Sequence, residues 1–141
     1  MLLNEKQIYG ITTELIVATK FIEKGYIVSI PYGNNSRYDM IVDTNKHCYR
    51  IQVKHATLND NNSYTINTCN TVSTTTKSIK KHYTKEDVDF IATIINEQLV
   101  VVPVELIEHS SSKVFRIELP KYGTKSNCNL IQDYTMEKYI F

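Results

Sequence analysis

The stretch Tyr38-Asp39-Met40-Ile41-Val42-Asp43-Thr44-Asn45-Lys46-His47-Cys48-Tyr49-Arg50-Ile51-Gln52-Val53-Lys54 decides the fold. Tyr38 to Val42 and Cys48 to Lys54 are short runs rich in β-branched and aromatic residues. Thr44-Asn45-Lys46 between them is a polar turn, so the pair predicts a hairpin. Side chains two apart on a strand point the same way. Tyr49, Ile51 and Val53 therefore form an apolar face suited to a core, and Arg50, Gln52 and Lys54 share the polar face. The hairpin brings Asp39 beside that polar face. An aspartate, an amide oxygen and a lysine in one place suit phosphodiester hydrolysis. Asp39 and the Gln52 carbonyl oxygen are hard ligands for Mg²⁺. A metal there polarises the phosphate and acidifies a bound water, while Lys54 orients or deprotonates that water or neutralises developing charge. Taken singly, Asp39 reads as a turn cap and Lys54 as a strand-end charge; the conjunction with Gln52 is what points to a site.

Toward the N-terminus, the spacing predicts a helix from about Lys6 to Lys24. At 100° per residue Ile8, Ile11, Leu15, Val17, Ala18, Phe21 and Ile22 fall on one broad face, and Ile16 falls outside it. Gly25 supplies the stop. Tyr26 to Ile30 reads as a strand ended by Pro31, and Gly33-Asn34-Asn35-Ser36 as a turn. Glu14 lies only ~50° from the centre of the apolar face, against ~130° for Glu5 and Glu23. A carboxylate so near a buried stripe needs a partner, and a lysine at the edge of the core is one that would serve.

Toward the C-terminus, Thr57 to Ser78 is polar and reads as a long loop with one edge strand around Tyr64 to Thr68. Lys77, Lys80, Lys81, His82 and Lys85 form a basic cluster, either a solvated face or a phosphate-contacting one. Arg37, next to Asp39, is a further candidate for phosphate. Val88 to Ile95 and Leu99 to Val104, parted by Asn96-Glu97-Gln98, are apolar and β-branched, as buried strands are. Val104 to Glu108 reads as a short helix, Val114 to Leu119 as a half-buried strand, and Leu130 to Tyr134 as a helical turn. The order predicts an α/β fold with helices packed on a mixed sheet.

The 141 residues fit one domain spanning 1–141, with 57–78 as a variable insert. Hydrophobic residues make up 42% and charged residues 22%, ordinary for a globular chain. Cys48, Cys69 and Cys128 have no zinc-ligand spacing, and reduced thiols fit a cytoplasmic protein. His47, His55, His82 and His109 are dispersed, and strand alternation turns His55 away from the Asp39 site. No phosphate-cradling or dinucleotide glycine motif is present. No secretory leader or membrane-length apolar run is evident, so the expectation is a soluble, intracellular protein with no membrane partner. The net charge is only +1, so local rather than global charge must carry any contact with nucleic acid.

The wider pattern, Gly10-Ile11-Thr12-Thr13-Glu14-Leu15, then Lys24-Gly25-Tyr26, Arg37-Tyr38-Asp39 and Gln52-Val53-Lys54, resembles the PD-(D/E)XK nucleases. Within them it is similar to the group I intron homing endonuclease branch, which carries Q-x-K in place of E-x-K. The likeness continues through Asp87 to Ala92 and Val102-Pro103-Val104, and faintly at Asn129 to Tyr134. Tyr38 stands where proline is nominal, and Gln52 removes one negative charge from the site. The resemblance implies a restriction-endonuclease-like core, a central mixed sheet flanked by helices. It implies a metal-dependent DNA endonuclease using Mg²⁺, with Mn²⁺ as a substitute. Glu14, Asp39 and Gln52 would then serve the metal, the first through water or directly, and Lys54 the chemistry. Arg37, Lys77, Lys80, Lys81 and Lys85 would serve double-stranded DNA. A small domain reading a long target implies a homo-oligomer, dimer or tetramer, and two-fold symmetry matches a double-strand cut. The competing readings are a Holliday junction resolvase or other structure-selective nuclease, a restriction or repair nuclease, and a DNA-binding module that has lost catalysis.

Overall fold

The computed structural model describes residues 1–33, 35–123 and 128–139. Asn34 of the anticipated turn, and Ile140 and Phe141 of the tail, lie outside the described residues. The chain opens with α1 (Glu5–Glu23). Its start is fixed by a capping box: the Asn4 side chain accepts from the Gln7 N–H at 2.9 Å, and the Gln7 side chain accepts from the Asn4 N–H at 3.0 Å. Gly25, at φ +87°, turns the chain out of the helix in a conformation that side chains rarely adopt.

A five-stranded sheet follows, built from β1 (Ile27–Ser29), β2 (Met40–Asp43), β3 (Cys48–Val53), β8 (Phe90–Ile95) and β9 (Gln98–Pro103) in the order β1-β2-β3-β8-β9. β3 and β8 run parallel and the other pairs antiparallel. The predicted hairpin is β2–β3, with Met40 opposite Ile51 and Val42 opposite Tyr49. The β8–β9 hairpin turns on Asn96 and Glu97, both at positive φ, as a two-residue primed turn requires. Alternation gives the sheet two apolar faces. Ile51, Val53, Met40, Val42, Phe90 and Ala92 pack under Val17 and Phe21 of α1. Ile91, Ile95, Val100 and Val102 pack on the opposite face with Ile66, Tyr83 and Phe115.

That second face corrects the expectation for Thr57 to Ser78. The polar run is not a long loop. It forms β4 (Thr57–Leu58), β5 (Ser63–Asn67) and β6 (Cys69–Ser73), the last continuing into β7 (Ser78–His82). β5 pairs with β4 and with β10 (Ser112–Arg116) in a three-stranded sheet that covers the face opposite α1 through Ile66 and Phe115, whereas β6 and β7 pair only with each other as a two-stranded ribbon. Few apolar side chains are needed for this, because single residues such as Ile66 do the burying while backbone pairing satisfies the polar chain. A 3-10 turn over Val104–Leu106 and another over Ile131–Asp133 stand near the anticipated helical turns, and a short α2 (Met136–Tyr139), which was not anticipated, follows.

The helix face is also corrected. The broad apolar arc is split: Val17 and Phe21 are fully buried and Ala18 packs beside them, whereas Ile8, Ile11, Leu15 and Ile22 are exposed. Among the described residues no helix is long and apolar enough to cross a membrane.

Candidate active site

Asp39 lies one residue ahead of β2, and its N–H donates to Ile51 O at 2.8 Å. Continuing the β2–β3 register by one residue sets Asp39 opposite Gln52. Its carboxylate turns across the strand end, where Oδ2 accepts the Val53 N–H at 2.7 Å. Two backbone bonds thus fix both the position and the orientation of the carboxylate. Burial raises the Asp39 pKa, opposed by the Val53 N–H and the Lys54 charge. Glu14 approaches from α1, half-buried as its place beside the apolar arc requires. Its pKa is raised by burial and then by the negative charge of Asp39. Two acidic groups whose environment disfavours a second negative charge form a site that a cation would relieve.

Gln52 is half-buried on the polar face of β3. Its amide nitrogen donates to Val53 O at 3.4 Å, which leaves its carbonyl oxygen available. Asp39 and the Gln52 amide oxygen fit the hard-oxygen preference of Mg²⁺, which takes one or two carboxylates and keeps several waters. Among the described residues no group of three or more His, Cys, Asp and Glu side chains could hold a metal.

Lys54 follows β3 on the same face, its N–H bonded to Ala92 O of the parallel neighbour β8 at 2.9 Å. Burial lowers its pKa, and the Asp39 charge pulls it back up. The ammonium donates to Asn70 Oδ1 at 2.9 Å and lies 5.0 Å from the centre of the Tyr83 ring. Asn70 belongs to β6, so the ribbon reaches back to hold the lysine. Burial pushes the Tyr83 hydroxyl up to about 12, which keeps it protonated. Asn70 and Tyr83 were not anticipated; they sit in or beside the polar run and carry no periodic signal.

The other candidates are distributed. Arg37 lies against the same Tyr83 ring, 4.4 Å from its centre, pairs with Asp87 at 3.2 Å and donates to His82 O at 3.1 Å. Lys85 pairs with Asp89 at 3.3 Å and Glu105 at 3.0 Å. Lys77, Lys80 and Lys81 are exposed, the first at the ribbon's turn and the others on β7. His55 turns to α1, where it stacks on Tyr9 and sits 3.3 Å from the Thr13 hydroxyl. A cleft of about 880 Å³ opens beside Lys54, between the first turns of α1 and the ribbon, lined by Lys6, Tyr9, His55, Asn67, Asn70 and Thr71.

Glu14 of α1 and Asp39 ahead of β2 interact through their charges, and Gln52 of β3 and the desolvated Lys54 just after it share the strand end beside Asp39, a donor set suited to nuclease chemistry. The chain belongs to the PD-(D/E)XK endonuclease family, whose model matches residues 3–137. Nucleases of this family generally use divalent metal ions. The chain is similar to Protein 5.3 of Escherichia phage T7, at 26% identity over 119 residues, covering 78% of this chain and 90% of the phage protein. Its fold is similar to that of a bacterial homing endonuclease, I-Ssp6803I, with a TM-score of 0.80 and 18% identity over 96% of this chain and 92% of that one.

Proposed function

We propose that this protein is a Mg²⁺-dependent endonuclease that hydrolyses phosphodiester bonds in duplex DNA, of the homing kind associated with a group I intron. The observation that carries this reading is the meeting of Asp39, Gln52 and Lys54 at one strand end with Glu14 above them. Bound there, a divalent ion would supply Lewis acidity and a water of lowered pKa. Asp39, Gln52 and Glu14 would hold it, Glu14 through water or directly. Asp39 is preorganised by its two backbone hydrogen bonds, so its position needs no rearrangement on substrate arrival. Lys54, held by Asn70, presents its ammonium to the attacking water or to a non-bridging phosphate oxygen. Lys77, Lys80 and Lys81 line the exposed ribbon as phosphate contacts, which position the duplex without reading its sequence. Arg37 and Lys85, each held in ion pairs, brace the segment that carries the ribbon, and either would have to exchange a carboxylate for phosphate to contact DNA.

Asp39→Ala should abolish Mg²⁺-dependent cleavage while the fold, followed by circular dichroism, and DNA binding in Ca²⁺ persist. Cleavage by that variant at the parental rate would remove Asp39 from the site. A parent protein that binds DNA equally with and without Mg²⁺ and cuts nothing would instead be a binding module. The intron association is checked by whether the DNA flanking the gene encodes a self-splicing intron.

A further inference from the structure

Neither Tyr9 nor His55 takes part in the chemistry at Asp39, yet their rings form an ordered pair beside Lys54. The ring centroids lie 5.4 Å apart at an interplanar angle of 28°. Thr13, only 8% exposed, holds the pair. Its hydroxyl donates to Tyr9 O at 2.7 Å and lies 3.3 Å from His55 Nδ1. A hydroxyl has one proton to give. The Thr13 oxygen therefore accepts from the Nδ1–H of His55, which fixes the tilt of the imidazole. Tyr9 is 58% exposed and His55 is exposed as well, so stacking on each other leaves ring surface open. Both rings line the cleft of about 880 Å³ that Lys54 also lines.

We propose that this cleft is a nucleotide pocket, in which an unpaired base of the cleaved strand, next to the scissile phosphate, stacks on the Tyr9–His55 pair. The proposal rests on the nuclease reading and names the substrate feature that the site would select. Size decides against a double helix. A volume of about 880 Å³ is that of a sphere ~12 Å across, no wider than the major groove alone of a duplex. Single nucleotides enter such a space and a duplex does not. Every base has a π-face, so an aromatic platform takes any of them. Asn67 and Thr71, across the cleft from α1, add amide and hydroxyl groups for base edges. Lys6 and Lys54 set two positive charges on the lining against the one carboxylate of Glu5, a balance that suits a phosphate-linked strand.

Gly10 is a second, separate observation. It lies inside α1 and lines the same cleft. Glycine weakens a helix interior. Gly10 is not among the residues at positive φ, and a Cβ there would meet nothing within 4 Å. Neither backbone conformation nor packing asks for glycine at this place. A longer side chain would grow into the space beside Tyr9 that the cleft holds open. The platform is also rigid before any ligand arrives, because Thr13 fixes it, which lowers the cost of binding. Extruding a paired base costs unstacking energy, and least when the base is already unpaired. The pocket therefore favours DNA in which a bulge, a flap or a mismatch adjoins the cut.

Fluorescence anisotropy in Ca²⁺, which prevents cleavage, tests this with labelled hairpin duplexes of one sequence, perfect or carrying a thymidine bulge. The parent should bind the bulged duplex ~5–150-fold more tightly, the range that one base–aromatic stack covers. Tyr9→Ala should lose that advantage and Tyr9→Phe should keep it, with both binding the perfect duplex as the parent does. Gly10→Leu should lose it too, while a better helix former leaves α1 at least as stable in thermal unfolding. A parent that binds both duplexes alike overturns the pocket and leaves the nuclease reading standing. A parent that binds neither overturns the nuclease reading and the pocket with it. A preference that survives in Tyr9→Ala or in Gly10→Leu overturns the pocket as well. Binding of thymidine monophosphate that Tyr9→Ala abolishes, with no preference between the duplexes, would make this a site for free nucleotides and overturn its assignment to the cleaved strand.

Discussion

The central sheet and the β6–β7 ribbon meet at the Lys54 ammonium, and they are built by different means. β8 in the sheet is buried along almost its whole length and pairs on both sides, parallel to β3 and antiparallel to β9. The ribbon strands pair only with each other and are exposed beyond their base. At that base Cys69 is buried, and the His82 ring lies 3.1 Å from Ser110 O. Position in the sheet is set by backbone register: Asp39 is fixed by the N–H of Val53 and the carbonyl of Ile51. Position on the ribbon side is set by side chains, as Asn70 on Lys54 shows. A register holds whatever side chains its solvent face carries, whereas a side-chain contact is lost with one substitution. The carboxylate thus rests on the more robust of the two frames, and the lysine depends on both.

Three experiments would break or sharpen that contrast. The largest effect is expected in the buried strand: Ile91→Ala should cost about 2–5 kcal/mol of stability in denaturant unfolding. Ile79→Ala on the ribbon, where Ile79 is paired with Val72 but exposed, should stay within about 0.5 kcal/mol. Similar losses for the two would show the ribbon to be part of the core's cooperative unit. Next is Lys54→Ala. It should slow single-turnover cleavage by ~10²–10³, as loss of one preorganised donor does. Affinity measured in Ca²⁺ should change far less, because the interaction is strongest in the transition state. Weaker binding with an unchanged rate at saturating enzyme would make Lys54 a positioning contact only. The smallest per-residue effect belongs to Lys77, Lys80 and Lys81. Each one removed should flatten the log–log salt dependence of duplex binding by ~0.9, alike for all sequences. An unaltered slope would return the ribbon lysines to a solvated face.

The same contrast explains what could be read from the chain alone. The β2–β3 and β8–β9 hairpins were legible because their apolar residues alternate or run continuously and end at Thr44-Asn45-Lys46 and Asn96-Glu97. Asp39, Gln52 and Lys54 follow from counting along those strands. Glu14 was legible from its angle on the helix, which its half-buried place bears out. The ribbon was not legible: Cys69-Asn70-Thr71-Val72-Ser73 offers one large apolar side chain, and its strand pairing depends on β7 alone. Asn70 could not be found because its role depends on which strand folds back over Lys54. The helix misled in one respect. Hydrophobic periodicity locates apolar faces, but it does not say which of two will meet the sheet. Val17 and Phe21 won because they stand over Met40, Ile51 and Phe90.

The parallel pairing of β3 with β8 has a consequence for chain entropy. Neighbouring parallel strands cannot be joined by a tight turn; they need a crossover of a dozen or more residues. Here the crossover runs from Lys54 to Asp89 and holds β4, β5 and the whole ribbon. Closing a longer loop costs only about 0.6 kcal/mol for each doubling of its length. The connection that geometry demands is thus the place where added chain burdens the fold least. Lengthening or rebuilding it leaves untouched the local β2–β3 register that sets Asp39 opposite Gln52. The reach of the ribbon can drift while Asp39 stays fixed; Lys54 alone feels the change, through Asn70.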